Sequence, residues 1–279
     1  NEGMPKDVNW VDYFGIDKTA GIDVDITPRY EEKVIEETDK YLIYTTKWGV
    51  TQKSFKFMDS TPEFLDFKVT TPEIWAEAKR RMTLEDDRIP WDMLKNNFPK
   101  WREEGRWIRA NFWFGFDVTH SWMMGTENLL FAMMEEPELV EDMFATYLDR
   151  SIALYDRLWD AGYRFDEMFW YDDMGYKGTT FFSLDMYRRL LKPYHTKAVK
   201  WAHDHGIVSQ LHSCGDVRTL VPDILETGVD ALNPLEVKAG MDPLALKKQY
   251  GDRLLLCGGI NAVNWNNIDA IMDEIHHKI

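Results

Sequence analysis

From residue 207 onward the chain repeats one pattern: an apolar run breaks into polar residues, and a helical segment follows that ends at glycine. Residues 207–212 read as a strand, and the helix over 217–227 stops at Gly228. Strands over 229–234 and 253–258 follow, with helices over 242–250, ending at Gly251, and from about Asn264. Strands and helices alternating in this way predict a parallel sheet of right-handed βα units. No sequence repeat accompanies the alternation, which argues against a solenoid.

The same pattern extends back to residue 106. Residues 106–114 form a strand ending at Gly115, helices follow at about 125–135 and 138–161, and the strand 165–171 runs into Asp172-Asp173. Further helices start at Ser183 and Pro193. Earlier residues are organised differently. Residues 1–40 are polar, broken by Gly and Pro, and read as a loop-rich lead-in. The β-rich runs 41–47 and 50–57 flank Trp48-Gly49 and predict a hairpin. Thr71-Pro72-Glu73 starts a helix, with a Thr cap and Pro at the first helical position, and the helix runs to about Met82. Residues 83–105 are charged, contain Pro90 and Pro99, and read as a surface excursion. Residues 1–279 together are read as one domain, irregular over 1–105 and regular over 106–279.

Two architectures fit the alternation. A doubly wound sheet is disfavoured, because no strand runs into a Gly-x-Gly-x-x-Gly turn. A TIM (β/α)8 barrel is favoured, because residues capable of chemistry gather just after strands: Asp172 and Asp173, His212 and Cys214, Glu236, Cys257. Parallel barrel strands bring those ends to one face, where barrel active sites lie. Roughly six or seven strands are legible where a closed barrel needs eight. The barrel is therefore expected to be incomplete at both ends, its first strand before Asn1 and its last after Ile279.

His212 and Cys214 stand two positions apart at the end of a strand, and residues i and i+2 of a strand point the same way. An imidazole and a thiolate aimed at one point are half of a zinc site, which Cys257 or Glu236 would complete. An open zinc position would bind a thiol and lower its pKa, or polarise an ether oxygen. Each residue also has a plain structural role: a buried thiol, a hydrogen-bonded histidine, a strand residue before a Gly-Gly turn, a surface carboxylate.

Asp172 and Asp173 are adjacent, so a strand sends them to opposite sides and one of them faces the pocket. That one would hold a substrate hydroxyl or amine, or act as general acid. Asn233 offers an amide hydrogen bond. Trp170 and Tyr171 line the pocket or fill the core, and Phe112-Trp113-Phe114 reads as packing. His120 is a weaker candidate, and His276-His277 suits a helix C-terminus better than a metal.

Composition narrows the function further. The 33 Lys and Arg against 48 Asp and Glu give a net charge of −15, which disfavours nucleic acid. No apolar run reaches the roughly 18 residues of a membrane span, and no signal peptide is visible. Because the chain opens on Asn1, an upstream segment is expected to have been removed. With only Cys214 and Cys257 present, a disulfide framework is improbable, and a cytoplasmic chain with reduced thiols is expected. The 12 Trp residues suit a roomy pocket for a flat or bulky ligand.

Four motifs carry a resemblance: Tyr171-Asp-Asp-Met-Gly175, Leu211-His-Ser-Cys-Gly-Asp216, Asn233-Pro-Leu-Glu-Val-Lys-Ala-Gly-Met-Asp242 and Leu256-Cys-Gly-Gly-Ile-Asn261. Over roughly 106–279 the chain resembles the uroporphyrinogen decarboxylase superfamily, most closely its corrinoid-dependent, methylcobamide:coenzyme M-like methyltransferases. The resemblance implies a TIM barrel with its pocket at the strand C-termini, a zinc ion held partly by the His-x-Cys motif, and a small corrinoid protein as partner. An arginine-rich segment typical of the decarboxylase branch has no counterpart here. The third zinc ligand of the coenzyme M enzymes, a cysteine one strand beyond Leu254–Gly258, would fall past Ile279.

The expected function is thus a zinc-dependent methyltransferase acting between a small donor or thiol and a corrinoid protein. The alternative is a decarboxylase of a tetrapyrrole or other bulky acid, which needs cationic groups lining the pocket. A barrel that only binds a ligand is the non-enzymatic reading.

Overall fold

The computed structural model describes residues 7–278. The chain enters its main sheet with β1 (Thr19–Asp23). It leaves to build an antiparallel sheet from β2 (Lys33–Glu37), β3 (Tyr41–Thr45), β4 (Val50–Phe55) and β5 (Glu63–Phe67). It returns with β6 (Trp107–Phe112) and β7 (Glu167–Tyr171), then makes a short hairpin of β8 (Gly175–Tyr176) and β9 (Thr179–Thr180). The main sheet continues with β10 (Val208–His212), β11 (Ala231–Leu235) and β12 (Leu255–Gly258).

The main sheet runs β1-β6-β7-β10-β11-β12, and every neighbouring pair is parallel. Each strand is laid beside the one before it. That is the winding of a βα barrel, whereas a doubly wound sheet reverses its order at a switch point. The ring is not closed. Among the described residues the sheet has six strands, and β1 and β12 are its two edges. An open six-stranded parallel sheet therefore stands where a (β/α)8 barrel, incomplete at both ends, was expected.

The helices follow from amphipathic spacing. Pro137–Asp160 buries Val140, Met143, Phe144, Tyr147, Leu154 and Leu158, an i, i+3, i+4 stripe that lies against the core. From the same helix the Tyr155 hydroxyl reaches 2.6 Å from the Ile22 carbonyl and 2.7 Å from the Asn111 carbonyl, tying β1 to β6. Thr71 caps Pro72–Arg81 by accepting from the Ile74 amide, as its sequence predicts. No described helix is long and apolar enough to cross a membrane.

Three elements depart from expectation. The lead-in, read as loop, contains β1, the first main-sheet strand among the described residues. Its sequence, Thr-Ala-Gly-Ile-Asp, has weak β propensity, and the strand exists because it pairs with β6. The hairpin is part of a four-stranded sheet whose β2 exposes every residue and so shows no apolar alternation. The presumed excursion over 83–105 contains a helix, Trp91–Glu103, with Pro99 inside it. An interior proline reads as a breaker, yet Leu94 is fully buried and Arg102 pairs with Asp166 at 2.8 Å, and these tertiary contacts hold the helix.

Candidate metal centre

Parallel strands deliver their C-terminal ends to one edge of the sheet. There β7 gives way to Asp172-Asp173, β10 to Ser213-Cys214, and β11 to Glu236. In β10, Ser209 and Leu211 are buried, leaving Gln210 and His212 on the opposite face. Asp173, His212 and Cys214 offer a carboxylate oxygen, an imidazole nitrogen and a sulfur that all lie within 4.8 Å of one another.

The separations suit zinc. Tetrahedral bonds of about 2.0–2.3 Å put neighbouring ligand atoms roughly 3.3–3.6 Å apart. His212 Nε2 lies 3.4 Å from Cys214 Sγ and 3.7 Å from Asp173 Oδ1. His212 Nδ1 sits 2.8 Å from Asn233 Oδ1, so the ring donates its proton there and turns Nε2 toward Cys214 and Asp173. The Cys214 amide donates to Asp173 Oδ1 at 2.7 Å, which joins the loops after β7 and β10.

Two of the three donors are held toward their protonated forms. Burial pushes the Cys214 thiol up to about 12, and the carboxylates of Asp173 and Glu236 add to the shift. Burial likewise holds the Asp173 carboxyl above the usual range, against the Cys214 amide, which favours its ionised form. A metal ion bound here would take the place of the Cys214 proton.

The remaining candidates lie close by or elsewhere. Asn233 touches His212 and orients it. Glu236 accepts the Gly215 amide at 2.6 Å and pairs with Lys238 at 3.1 Å, so it braces the Cys214 loop. Cys257 is outside the cluster. Burial raises its thiol pKa, and the charges beside it are Glu167 and Arg109, which sit lower on their strands. Cys257, expected as a ligand, is not among the three residues whose donor atoms converge. A Cys257→Ser variant is expected to bind as much zinc as the parent, and a proportional loss in elemental analysis would return Cys257 to the ligand set.

Asp172 is also corrected. Its carboxylate is fully buried and does not face the cavity. Oδ2 lies 2.7 Å from His195 Nε2, and Oδ1 accepts the Asp117 amide at 2.8 Å. The Tyr187 hydroxyl lies 3.1 Å from His195 Nδ1. Burial raises the Asp172 carboxyl, and the bond to His195 opposes that rise. Gly115 makes room for the carboxylate: its φ is 97°, and a Cβ there would overlap Asp172. As alternation requires, the two adjacent aspartates part, Asp173 to the ligands and Asp172 inward.

Gly215 has a similar steric origin. Its φ is 79°, and a Cβ would overlap the backbone of Gly175. Gly215→Ala is expected to cost about 2 kcal/mol or more in thermal unfolding and to displace Cys214. An unchanged melting temperature would count against this close approach.

Two cavities meet near the cluster. One, about 480 Å³, is lined by Asp173 together with Asp117, His120, Ser121, Trp113 and Tyr171 among others. The second, about 450 Å³, is lined by Cys214, Glu236, Tyr176, Lys177 and Lys238 among others. Gly175 borders both. The sequence reading passed over Asp117 and His195. Asp117 follows β6 just as the other candidates follow their strands, so the strand-end rule would have found it. His195 lies mid-helix in Lys192–Asp204 and carries no local signal.

A family model described as uroporphyrinogen decarboxylase (URO-D) matches residues 118–265, more than half of the chain. Among solved structures, a methyltransferase from Methanosarcina mazei is similar at 16% identity with a TM-score of 0.61. That likeness covers 96% of this chain and 73% of the other, and at this identity it is a likeness of fold. No curated protein matches.

Proposed function

Because the chain belongs to the uroporphyrinogen decarboxylase family, we propose that it is a zinc-dependent methyltransferase that moves a methyl group between a small donor or thiol acceptor and a corrinoid protein. The observation that carries this reading is the convergence of Asp173, His212 and Cys214 at the mouth of the sheet. The reading takes the six-stranded sheet as an arc of a (β/α)8 barrel, in keeping with its winding order.

When bound, zinc would lower the pKa of a thiol or draw charge from an ether oxygen, so that sulfur attacks or oxygen leaves. The chain supplies the rest. His212 is held by Asn233 with one nitrogen free, and Cys214 is held by the Asp173 and Glu236 contacts of its loop. The cavities bordered by Asp173 and by Cys214 give two approaches to one point. A transfer between two partners needs both, because nucleophile and leaving group lie on opposite sides of a methyl group in flight. Neither lysine nor arginine lines the cavity beside Asp173, which disfavours the decarboxylation of a polycarboxylate there.

The test is methyl exchange with cobalt. Zinc-loaded protein, methylcobalamin and 2-mercaptoethanol are expected to yield cob(I)alamin and the S-methyl thioether. The methyl leaves as a cation equivalent, cobalt keeps the electron pair, and the thiol loses its proton. An absorbance trace no faster than the protein-free control, together with carbon dioxide release from uroporphyrinogen, would replace the methyltransferase with a decarboxylase.

A further inference from the structure

The cavity beside Asp173 contains a second polar group that the metal ligands do not use. Asp117 Oδ1 lies 3.1 Å from Ser121 Oγ and 3.2 Å from His120 Nε2. His120 Nδ1 is held 3.1 Å from Thr126 Oγ1. The Asp117 amide is pinned by buried Asp172, so both ends of this group are fixed before any ligand arrives. It is not a nucleophile triad. Ser121 and Asp117 both meet the same histidine nitrogen, which leaves no path for a proton to pass through the ring.

The walls around this group are aromatic: Phe64, Trp113, Trp122, Tyr171 and Phe181. Trp113 stacks on Tyr171 with centroids 5.0 Å apart, and Trp122 meets Phe64 edge-on at 6.2 Å. Phe181 lies 6.0 Å from the His120 ring. At about 480 Å³ the space is in the range of small-molecule sites, with an apolar lining and a few convergent polar atoms.

We propose that this cavity binds a neutral hydroxylated arene, whose ring lies between the aromatic walls and whose hydroxyl donates to Asp117. The inference deepens the proposed methyltransferase reading and rests on it for what then reacts at the Asp173 end. Three observations select the class. Aromatic faces reward a flat ring. A carboxylate with its second oxygen free of side-chain partners among the described residues accepts a hydroxyl proton and repels an anion. No lysine or arginine lines the cavity to hold a carboxylate or sulfonate.

The test is calorimetric titration of the full chain with phenol, benzoate and benzylamine, each run with and without added zinc. Phenol is expected to bind under both conditions and benzoate to bind at least about tenfold more weakly. Asp117→Ala is expected to weaken phenol binding by roughly tenfold or more, the size of a hydrogen bond to a charged group. Asp117→Asn, which keeps the shape, serves as the second variant, and circular dichroism verifies that each is folded. Benzoate or benzylamine binding as well as phenol, folded Asp117 variants that bind phenol like the parent, or no phenol binding at all would each overturn the proposal. Because the metal-free arm is included, failure of the zinc site leaves this result readable.

Discussion

Replacing His212 or Cys214 by alanine is expected to remove bound zinc, from about one ion per chain to almost none at equimolar metal. Each side chain supplies one of three donor atoms that already lie within 4.8 Å of one another. Loss of a partner that merely orients a ligand costs about 10–100-fold in metal affinity, so loss of the ligand itself costs more. A graded series follows. Asn233→Ala is expected to weaken zinc by about 10–100-fold, because it only frees the His212 ring to rotate. Asp173→Ala falls with the ligands if its carboxylate is the third donor. Competition with a chromogenic chelator reads all four variants. Equal zinc affinity in the parent and in His212→Ala would leave the cluster without a metal role.

Asp172→Ala is expected to destabilise the protein by about 3 kcal/mol or more. It leaves His195 Nε2 and the Asp117 amide without partners, and His195 is itself buried. Each buried polar group left without a partner costs roughly 1–3 kcal/mol, because it stays desolvated. Asp172→Asn can still accept the Asp117 amide and is expected to lose only about 1–3 kcal/mol. Thermal unfolding reads the difference. If Asp172→Ala melts with the parent, the contact with His195 contributes nothing to the fold.

The adjacent aspartates connect these two results. One residue of the pair holds the Gly115–Asp117 turn from behind, and the next reaches the metal cluster. A substitution at Asp172 therefore acts through stability and through the placement of Asp117. A substitution at Asp173 acts at the cavity directly.

How legible each feature was depended on the range of the interaction behind it. The caps, the long amphipathic helix and the strands of 165–258 arise between residues a few positions apart, and their patterns stand in the sequence. His212 ends β10 and Cys214 follows two residues later, so their convergence was legible too. β1 and the helix Trp91–Glu103 have weak or contrary local signals and are held by distant partners.

The residues after each parallel strand had to share one edge, because alternation forces parallel pairing and parallel pairing aligns strand ends. That much, with the histidine–cysteine half of the cluster, was determined by the order of amino acids alone. The approach of Asp173 to that pair was not, for Asp173 and the Cys214 amide it contacts are 41 positions apart. Neither was the burial of Asp172 against His195, 23 positions away. Such distances are set by how strands are registered and helices packed, and no local pattern encodes them.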